Sequence, residues 1–162
     1  MARTTGTTAP ATKRALLTAL AARTPALTGV DLLYAPSRQG EDYSDDTIWW
    51  DPETTCSTQY RWMQAGTKPV KEEWSTSLHI QCLRKPADLS PGEDSAEQAE
   101  LRVRELWVEV QQAIAETPEI HSTLMWVQVD GWGLVTDRMS GKRARSKLEV
   151  DISGVAELYP DP

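Results

Sequence analysis

The feature that most constrains this chain is a strict two-residue alternation between positions 70 and 84. Trp74, Leu78 and Ile80 occupy one set of alternate positions together with Thr76 and Cys82. The intervening positions are polar: Glu73, Ser75, Ser77, His79 and Gln81. Because successive side chains of a strand point to opposite faces, the pattern predicts one long strand with an apolar core face and a wet face.

Two segments instead have helical spacing. Ala11–Arg23 places Leu16, Leu17 and Leu20 on one face, and Pro25 prevents continuation. A longer helix is predicted to end at Glu116, just before Thr117-Pro118, and to begin near Ser90-Pro91-Gly92-Glu93, which resembles a capping box, or at a later cap, Ser95. Its apolar stripe consists of Ala99, Val103, Leu106, Val110 and Ile114, with Trp107 beside it.

Further strands are predicted on both sides of the long helix. Those before it are Val30–Tyr34 and Thr47–Trp50, the second ended by Asp51-Pro52, because proline cannot donate to a sheet ladder. Those after it are Leu124–Thr136, with a bulge or bend at Gly131 and Gly133, and Lys142–Ser153. The short link Asp137–Gly141 makes these last two an antiparallel hairpin.

This order predicts the α+β class: a mixed or antiparallel sheet of four to six strands with two helices packed on one face. The length of 162 residues suits a single domain. We expect a flexible N-terminal arm over residues 1–10, the folded domain over 11–154 and a C-terminal tail over 155–162. Residues 53–69 have no clean period and are predicted to form a long excursion, a protruding hairpin.

Composition favours an intracellular protein without a membrane segment. No apolar run is long enough to cross a bilayer, and Met1–Ala11 lacks the apolar core of a secretory signal. The formal net charge of -7 disfavours wrapping around the outside of nucleic acid, where lysine and arginine must replace counterions. Cys56 and Cys82 belong to no C-x-x-C pair, so we expect free thiols.

The sequence offers little for catalysis. Its two histidines are His79, within the long strand, where a solvent-facing or cross-strand side chain is expected, and His121, just after the long helix. No phosphate-binding or dinucleotide-binding glycine motif occurs. The loop acids Glu41-Asp42 and Asp45-Asp46 lack the spacing of a calcium site. We therefore expect no enzyme activity, no metal and no cofactor.

Tryptophan usage is unusual, with seven Trp and no Phe. Core packing accounts for Trp74, Trp107 and Trp126. The other four are predicted to form a partner surface, or a second small cluster under a loop: Trp49, Trp50, Trp62 and Trp132. The cluster Lys142, Arg143, Arg145 and Lys147 is the one basic concentration, and it suits an interface or the edge of the hairpin.

Taken in order, these segments resemble the tail terminator (tail completion) proteins of siphovirus-type phages, which have long non-contractile tails. The resemblance runs from about Ala11 to Gly154. It is carried by the opening helix (residues 11–22), Gly-Val-Asp-Leu-Leu-Tyr (29–34), Thr-Ile-Trp-Trp-Asp (47–51), Glu-Glu-Trp-Ser-Thr-Ser-Leu-His-Ile (72–80), the Ala/Glu-rich helix, Trp-Val-Gln-Val-Asp-Gly-Trp (126–132) and Lys-Leu-Glu-Val-Asp-Ile (147–152).

The resemblance implies a virion protein, assembled in the host cytoplasm, that forms a homo-hexameric ring at the head-proximal end of the tail tube. Such a ring ends tube growth and joins the tail to the head. Its implied partners are further copies of the chain, the major tail tube protein and the head-completion or connector protein, while DNA passes through the lumen without specific binding.

Site residues follow from exposure and chemistry. The residues predicted to form the oligomer or tube interface are Trp49, Trp50, Tyr60, Arg61, Trp62, Met63, Trp132, Arg143 and Arg145. The residues predicted to face the lumen are Glu41, Asp42, Asp45 and Asp46, since a like-charged wall lets DNA slide past.

Two other functions stay open. Another neck component, such as a head-closure or head-tail joining protein, shares the small size and ring assembly. A small-ligand or peptide-binding module would line a pocket with Trp49, Trp62 and Trp132.

Overall fold

The computed structural model describes residues 7–36, 43–60, 70–117 and 126–158. Within them lie two α-helices and five strands. They are α1 (Ala9–Ala21), β1 (Val30–Leu33), β2 (Asp46–Tyr60), β3 (Val70–Arg84), α2 (Ser95–Glu116), β4 (Trp126–Arg138) and β5 (Ala144–Leu158).

The strands form one mixed sheet in the order β1-β2-β3-β5-β4. β1 runs parallel to β2, and every other neighbouring pair is antiparallel. β3 and β5 pair along their whole lengths, from Val70 opposite Leu158 to Arg84 opposite Ala144. The predicted α+β fold, with a mixed sheet and two helices on one face, is confirmed.

The core lies between the helices and one face of the sheet. The predicted alternation in β3 is confirmed, because Trp74, Leu78 and Ile80 are buried on the helix side. The largest fully buried side chains around them are Trp50, Leu16, Leu20, Ile48, Leu106, Ile152, Val103 and Val110. We call the opposite side of the sheet the outward face, because no helix of the described residues packs on it.

Both helices begin at positions that differ from the sequence prediction. α1 starts at Ala9, two residues early, since Pro10 suits the first turn of a helix. α2 is capped by neither Ser90 nor Ser95: the Asp94 carboxylate accepts hydrogen bonds from the backbone N–H groups of the next turn. The Ser90 N–H instead donates to the Glu93 carboxylate (2.8 Å).

β2 is longer than predicted. It continues through Asp51-Pro52 to Tyr60 instead of ending at Trp50. A register shift between Trp50 and Thr54 accommodates the proline, which has no N–H to donate. Residues 54–60 then pair with β3, so this part of the predicted excursion belongs to the sheet.

Both ends of the domain also extend beyond the predicted boundaries. Thr8 is buried, and its backbone N–H and its hydroxyl both donate to the Glu72 carboxylate at 2.7 Å. At the other end, Val155 and Ala156 are buried in β5, within the segment predicted as a tail. Residues 8–10 and 155–158 therefore belong to the fold.

Gly154 provides a test of this packing. A Cβ at this position would lie 2.6 Å from Cε2 of the buried Trp74 ring, well inside van der Waals contact. The indole is held in place because its N–H donates to the Thr8 hydroxyl at 3.0 Å. We therefore expect Gly154→Ala to lower the free energy of unfolding by about 2 kcal/mol, measured by urea denaturation. Gly133→Ala is the matched control, because a Cβ there has no atom within 4 Å; equal effects of the two changes would contradict the packing argument.

Candidate assembly surface

β4 is an edge strand with unusual surface chemistry. It pairs only with β5, which leaves its other side without a strand neighbour among the described residues. Four large apolar side chains on it are 39–63% exposed: Trp126, Val129, Trp132 and Val135. A long edge strand with exposed apolar side chains is a template for pairing with another chain. We call β4 with these four side chains the edge surface.

A bulge in β4 places its two tryptophans on opposite faces of the sheet. The register with β5 shifts between Val129 and Gly131, as the glycines predicted. Trp132 lies opposite the buried Val150, so its side chain points to the helix side of the sheet, at a place that the helices leave exposed. Trp126 lies opposite Val155 on the outward face. The prediction that Trp126 is a core residue is wrong, since it is 42% exposed.

The predicted interface tryptophans separate into three environments. Trp132, at 63% exposed, is the most accessible of the large apolar side chains described. Trp50 is only 1% exposed, and its indole N–H donates to the Lys13 carbonyl at 3.2 Å, so its assignment to the interface is wrong. Trp49, the next residue, faces the other way because side chains alternate along a strand.

Trp49 organises a small cluster on the outward face. Its ring stacks on His79 at a centroid distance of 5.1 Å, and the Lys147 ammonium lies 5.6 Å from the Trp49 ring centre. His79 has the cross-strand environment expected, 3.2 Å from the Asp51 carboxylate through Nε2. Its Nδ1 is buried without a hydrogen-bond partner, with the Glu149 carboxylate 3.7 Å away. The cluster covers this part of the outward face with stacked and charged groups.

A groove of about 400 Å³ crosses the outward face beside this cluster. Its acidic side chains are Asp51, Glu53, Asp130 and Asp151. Hydroxyl groups form much of the remaining lining, and the Ser77 hydroxyl donates to Asp151 at 2.8 Å. The pKa of the Asp51 carboxyl is lowered, chiefly by the hydrogen bond from the Glu53 backbone N–H and also by His79. We call this feature the acidic groove.

The basic cluster predicted around residues 142–147 surrounds the turn between β4 and β5. Arg145 is exposed and pairs with Asp137 at 3.2 Å. Arg143 donates to the Ser140 carbonyl at 3.2 Å. Gly141 and Lys142 both have positive φ, 69° and 59°, so the turn is left-handed at two successive residues. We call Lys142 and Arg143 the basic tip.

The two predicted lumen acids that lie within the described residues, Asp45 and Asp46, both form ion pairs. Asp46 is largely buried and bonded to two guanidinium groups, Arg84 at 2.6 Å and Arg102 at 2.9 Å. Its assignment to the lumen is therefore wrong: it joins β2 to β3 and α2. Asp45 pairs with Lys85 at 3.0 Å on the surface. Glu41 and Asp42 lie outside the described residues.

Part of the predicted interface cannot be placed. Arg61, Trp62 and Met63 lie outside the described residues. Tyr60 is the last residue of β2, paired with Val70, and its side chain is not described. The interface assignments of Trp49, Trp132, Arg143 and Arg145 stay predictions, and all four side chains are at least partly exposed.

The structure separates the tryptophans that were predicted to line one ligand pocket. Trp49 lies on the outward face of β2, whereas Trp132 belongs to the helix side of β4, with β3 and β5 between the two strands. A pocket lined by both side chains is thus not formed.

Sequence reasoning missed the edge surface residues Val129 and Val135 and the acidic groove. The groove residues come from four strands, so no local pattern joins them. The sequence signals at the edge surface were the predicted exposure of Trp132 and the bulge marked by Gly131 and Gly133, and neither indicated that the two valines would be exposed.

Among residues 7–36, 43–60, 70–117 and 126–158, no three His, Cys, Asp or Glu side chains are grouped to hold a metal ion. None of the helices described is both long and apolar enough to cross a membrane. Cys56 is exposed and Cys82 is buried, and both are free thiols; burial strongly raises the pKa of Cys82.

Comparisons with known proteins give matches among solved structures only. No family model matches the chain, and no curated protein matches it. Among solved structures, the chain is similar to a chain from the "Virion of native gene transfer agent (GTA) particle", with 10% sequence identity and a TM-score of 0.42. The match covers 92% of this chain and 96% of that chain.

Proposed function

We propose that this chain is a structural virion protein of the tail terminator type. Copies of it assemble into a ring at the head-proximal end of a phage tail tube, where the ring ends tube growth and joins the tail to the head connector. The observation that carries the proposal is the edge surface: a 13-residue edge strand with four large, exposed apolar side chains.

Self-association explains why such a surface exists on an otherwise ordinary domain. Exposed edge strands promote aggregation unless they are blocked or paired, and pairing with an identical neighbour removes both the open hydrogen bonds and the apolar area. Tryptophan is also among the residues that contribute most to interface energies. A ring satisfies every copy because each edge has a neighbour.

The resemblance noted in the sequence assigns the ring to the end of the tail tube. That assignment agrees with the α+β fold and with a formal charge of -7, which lets DNA pass a wall without being held. Of the predicted lumen acids, Asp46 is engaged by Arg84 and Arg102 and Asp45 pairs with Lys85, which leaves residues 41 and 42 as the candidates without a described partner.

The edge surface gives the first test. We expect the double change Trp132→Ala and Val135→Ala to leave the melting temperature within a few degrees of wild type, because both side chains are at least 60% exposed. The same change is expected to abolish ring assembly in native mass spectrometry. It should also allow major tail protein to polymerise past the normal tube length, as measured by electron microscopy.

The matched control is Leu101→Ala on α2, which removes a similarly exposed apolar side chain (43%) away from the edge surface. It is expected to assemble normally. A single copy of the chain per completed tail would contradict the ring. Binding to the head connector with no effect on tube length would instead favour a head-closure protein.

A further inference from the structure

The hairpin of β4 and β5 separates charge along its length. On the outward face of β5, Arg145 and Lys147 come first from the turn, and Glu149 and Asp151 follow. The basic tip lies at the turn end of this series, and the acidic groove lies at its other end. The outward face therefore has a positive end and a negative middle.

The acidic groove is short of positive partners within its own chain. Of its four carboxylates, only Asp51 has an ion pair among the described residues, and its partner is His79. Asp151 accepts a hydrogen bond from the Ser77 hydroxyl, and Asp130 accepts a hydrogen bond from the side-chain amide of Gln128.

The basic tip is likewise short of negative partners. No described ion pair involves Lys142 or Arg143. Lys142 has a φ of 59°, a conformation uncommon for residues other than glycine, and its carbonyl accepts a hydrogen bond from the Ser95 hydroxyl at 2.8 Å.

The two features cannot meet within one chain. Asp151 in the groove lies seven residue steps along β5 from Ala144 at the turn, which is about 23 Å at the rise of a strand. Both features belong to the same paired hairpin, so no bending brings them together.

We propose that the basic tip of one copy docks in the acidic groove of a second copy. Charge complementarity on an outward face that no described helix covers supports this contact, which rests on the proposed ring. Because tip and groove are different surfaces, the contact is head-to-tail, the kind that closes into a ring. Asp130 is a residue of β4, so the groove continues directly from the edge surface.

Paired charge reversals test this contact. The tip variant carries Lys142→Glu and Arg143→Glu, and the groove variant carries Asp130→Lys and Asp151→Lys. Each variant alone opposes like charges at every contact, so we expect its self-association to weaken at least tenfold in analytical ultracentrifugation. An equimolar mixture opposes unlike charges at every contact when the copies alternate, so rings are expected to return with equal numbers of each variant in native mass spectrometry.

A chain with all four reversals is the internal control, since its tip and groove are again complementary and it is expected to assemble alone. Lys85→Glu, a reversal outside the hairpin, is expected to assemble like wild type. Should a reversal in the groove unfold the chain, the neutral pair Asp130→Asn and Asp151→Asn replaces it, again with weaker self-association expected.

Three results would overturn the proposal while wild-type rings persist. They are normal assembly of either double variant alone, failure of the mixture to restore rings, and failure of the fourfold variant although it melts like wild type. In each case the ring would be held by other contacts. A wild-type chain present as one copy per tail would instead overturn the proposed function itself.

Discussion

Replacement of Trp50 by alanine is expected to lower the free energy of unfolding by about 4 kcal/mol, the range measured for truncating a buried tryptophan. Trp50 is 1% exposed and packs between the sheet and α1. The change leaves a cavity and removes the hydrogen bond from the indole N–H to the Lys13 carbonyl. It also removes the ring from beneath the Lys13 ammonium, whose nitrogen lies 5.7 Å from the ring centre.

Urea denaturation monitored by circular dichroism measures this effect. The matched control is Trp132→Ala, because Trp132 is 63% exposed and its truncation is expected to change stability by no more than about 0.5 kcal/mol. For assembly we expect the reverse order, with Trp132→Ala having the larger effect, because assembly depends on Trp132. Similar losses of stability for both variants would mean that Trp50 is not a core residue.

The second large effect is expected at Asp46. Its carboxylate joins three parts of the fold, since it bonds Arg84 of β3 and Arg102 of α2, and Arg102 also donates to the Ala26 carbonyl before β1. Asp46→Asn leaves two partly buried guanidinium groups without their counter-charge. We expect a loss of about 3 kcal/mol at pH 7, as for other broken buried ion pairs.

The pH dependence of this loss has a definite sign. Burial acts to raise the pKa of Asp46, but hydrogen bonds and charge from Arg84 and Arg102 outweigh it, so the folded-state pKa lies below the usual value of 3.8. A lowered pKa means that the carboxylate contributes its full stability above about pH 4 and loses it as pH falls through the folded-state pKa. The stabilities of wild type and Asp46→Asn are therefore expected to converge in strong acid.

Urea titrations at pH 7, 4 and 2.5 measure this convergence. Asp45→Asn is the matched control, because its ion pair with Lys85 is about 40% exposed and is expected to contribute under about 1 kcal/mol. A difference between wild type and Asp46→Asn that stayed constant from pH 7 to pH 2.5 would contradict the role assigned to this carboxylate.

Much of the fold was predictable because its signals are local. The alternation in β3, the apolar stripe of α2 and the inward positions Leu148, Val150 and Ile152 of β5 all follow from the periods of strands and helices. The bulge near Gly131 was predictable for the same reason. A local period does not reveal where a strand ends. β2 continues past Pro52 because the register shift at this point accommodates a residue that has no N–H to donate.

The surface was harder to predict because exposure depends on distant neighbours. Trp49 and Trp50 look alike in sequence, and alternation requires them to face opposite ways, but only the packing of α1 decides which one is buried. Trp126 and Trp132 share a face if β4 is regular, and the bulge separates them. In the sequence, Asp46 cannot be distinguished from the neighbouring loop acids, because its partners Arg84 and Arg102 lie 38 and 56 residues away along the chain.

By itself, then, the sequence determined the class of fold, the helices, most of the strands and the core face of β3, because these depend on residues a few positions apart. The tertiary structure decided the strand order, the open edge at β4, the acidic groove in the middle of the hairpin and its separation from the basic tip at the turn. Those features join residues from distant segments, and their burial and charge depend on which strands become neighbours in the sheet.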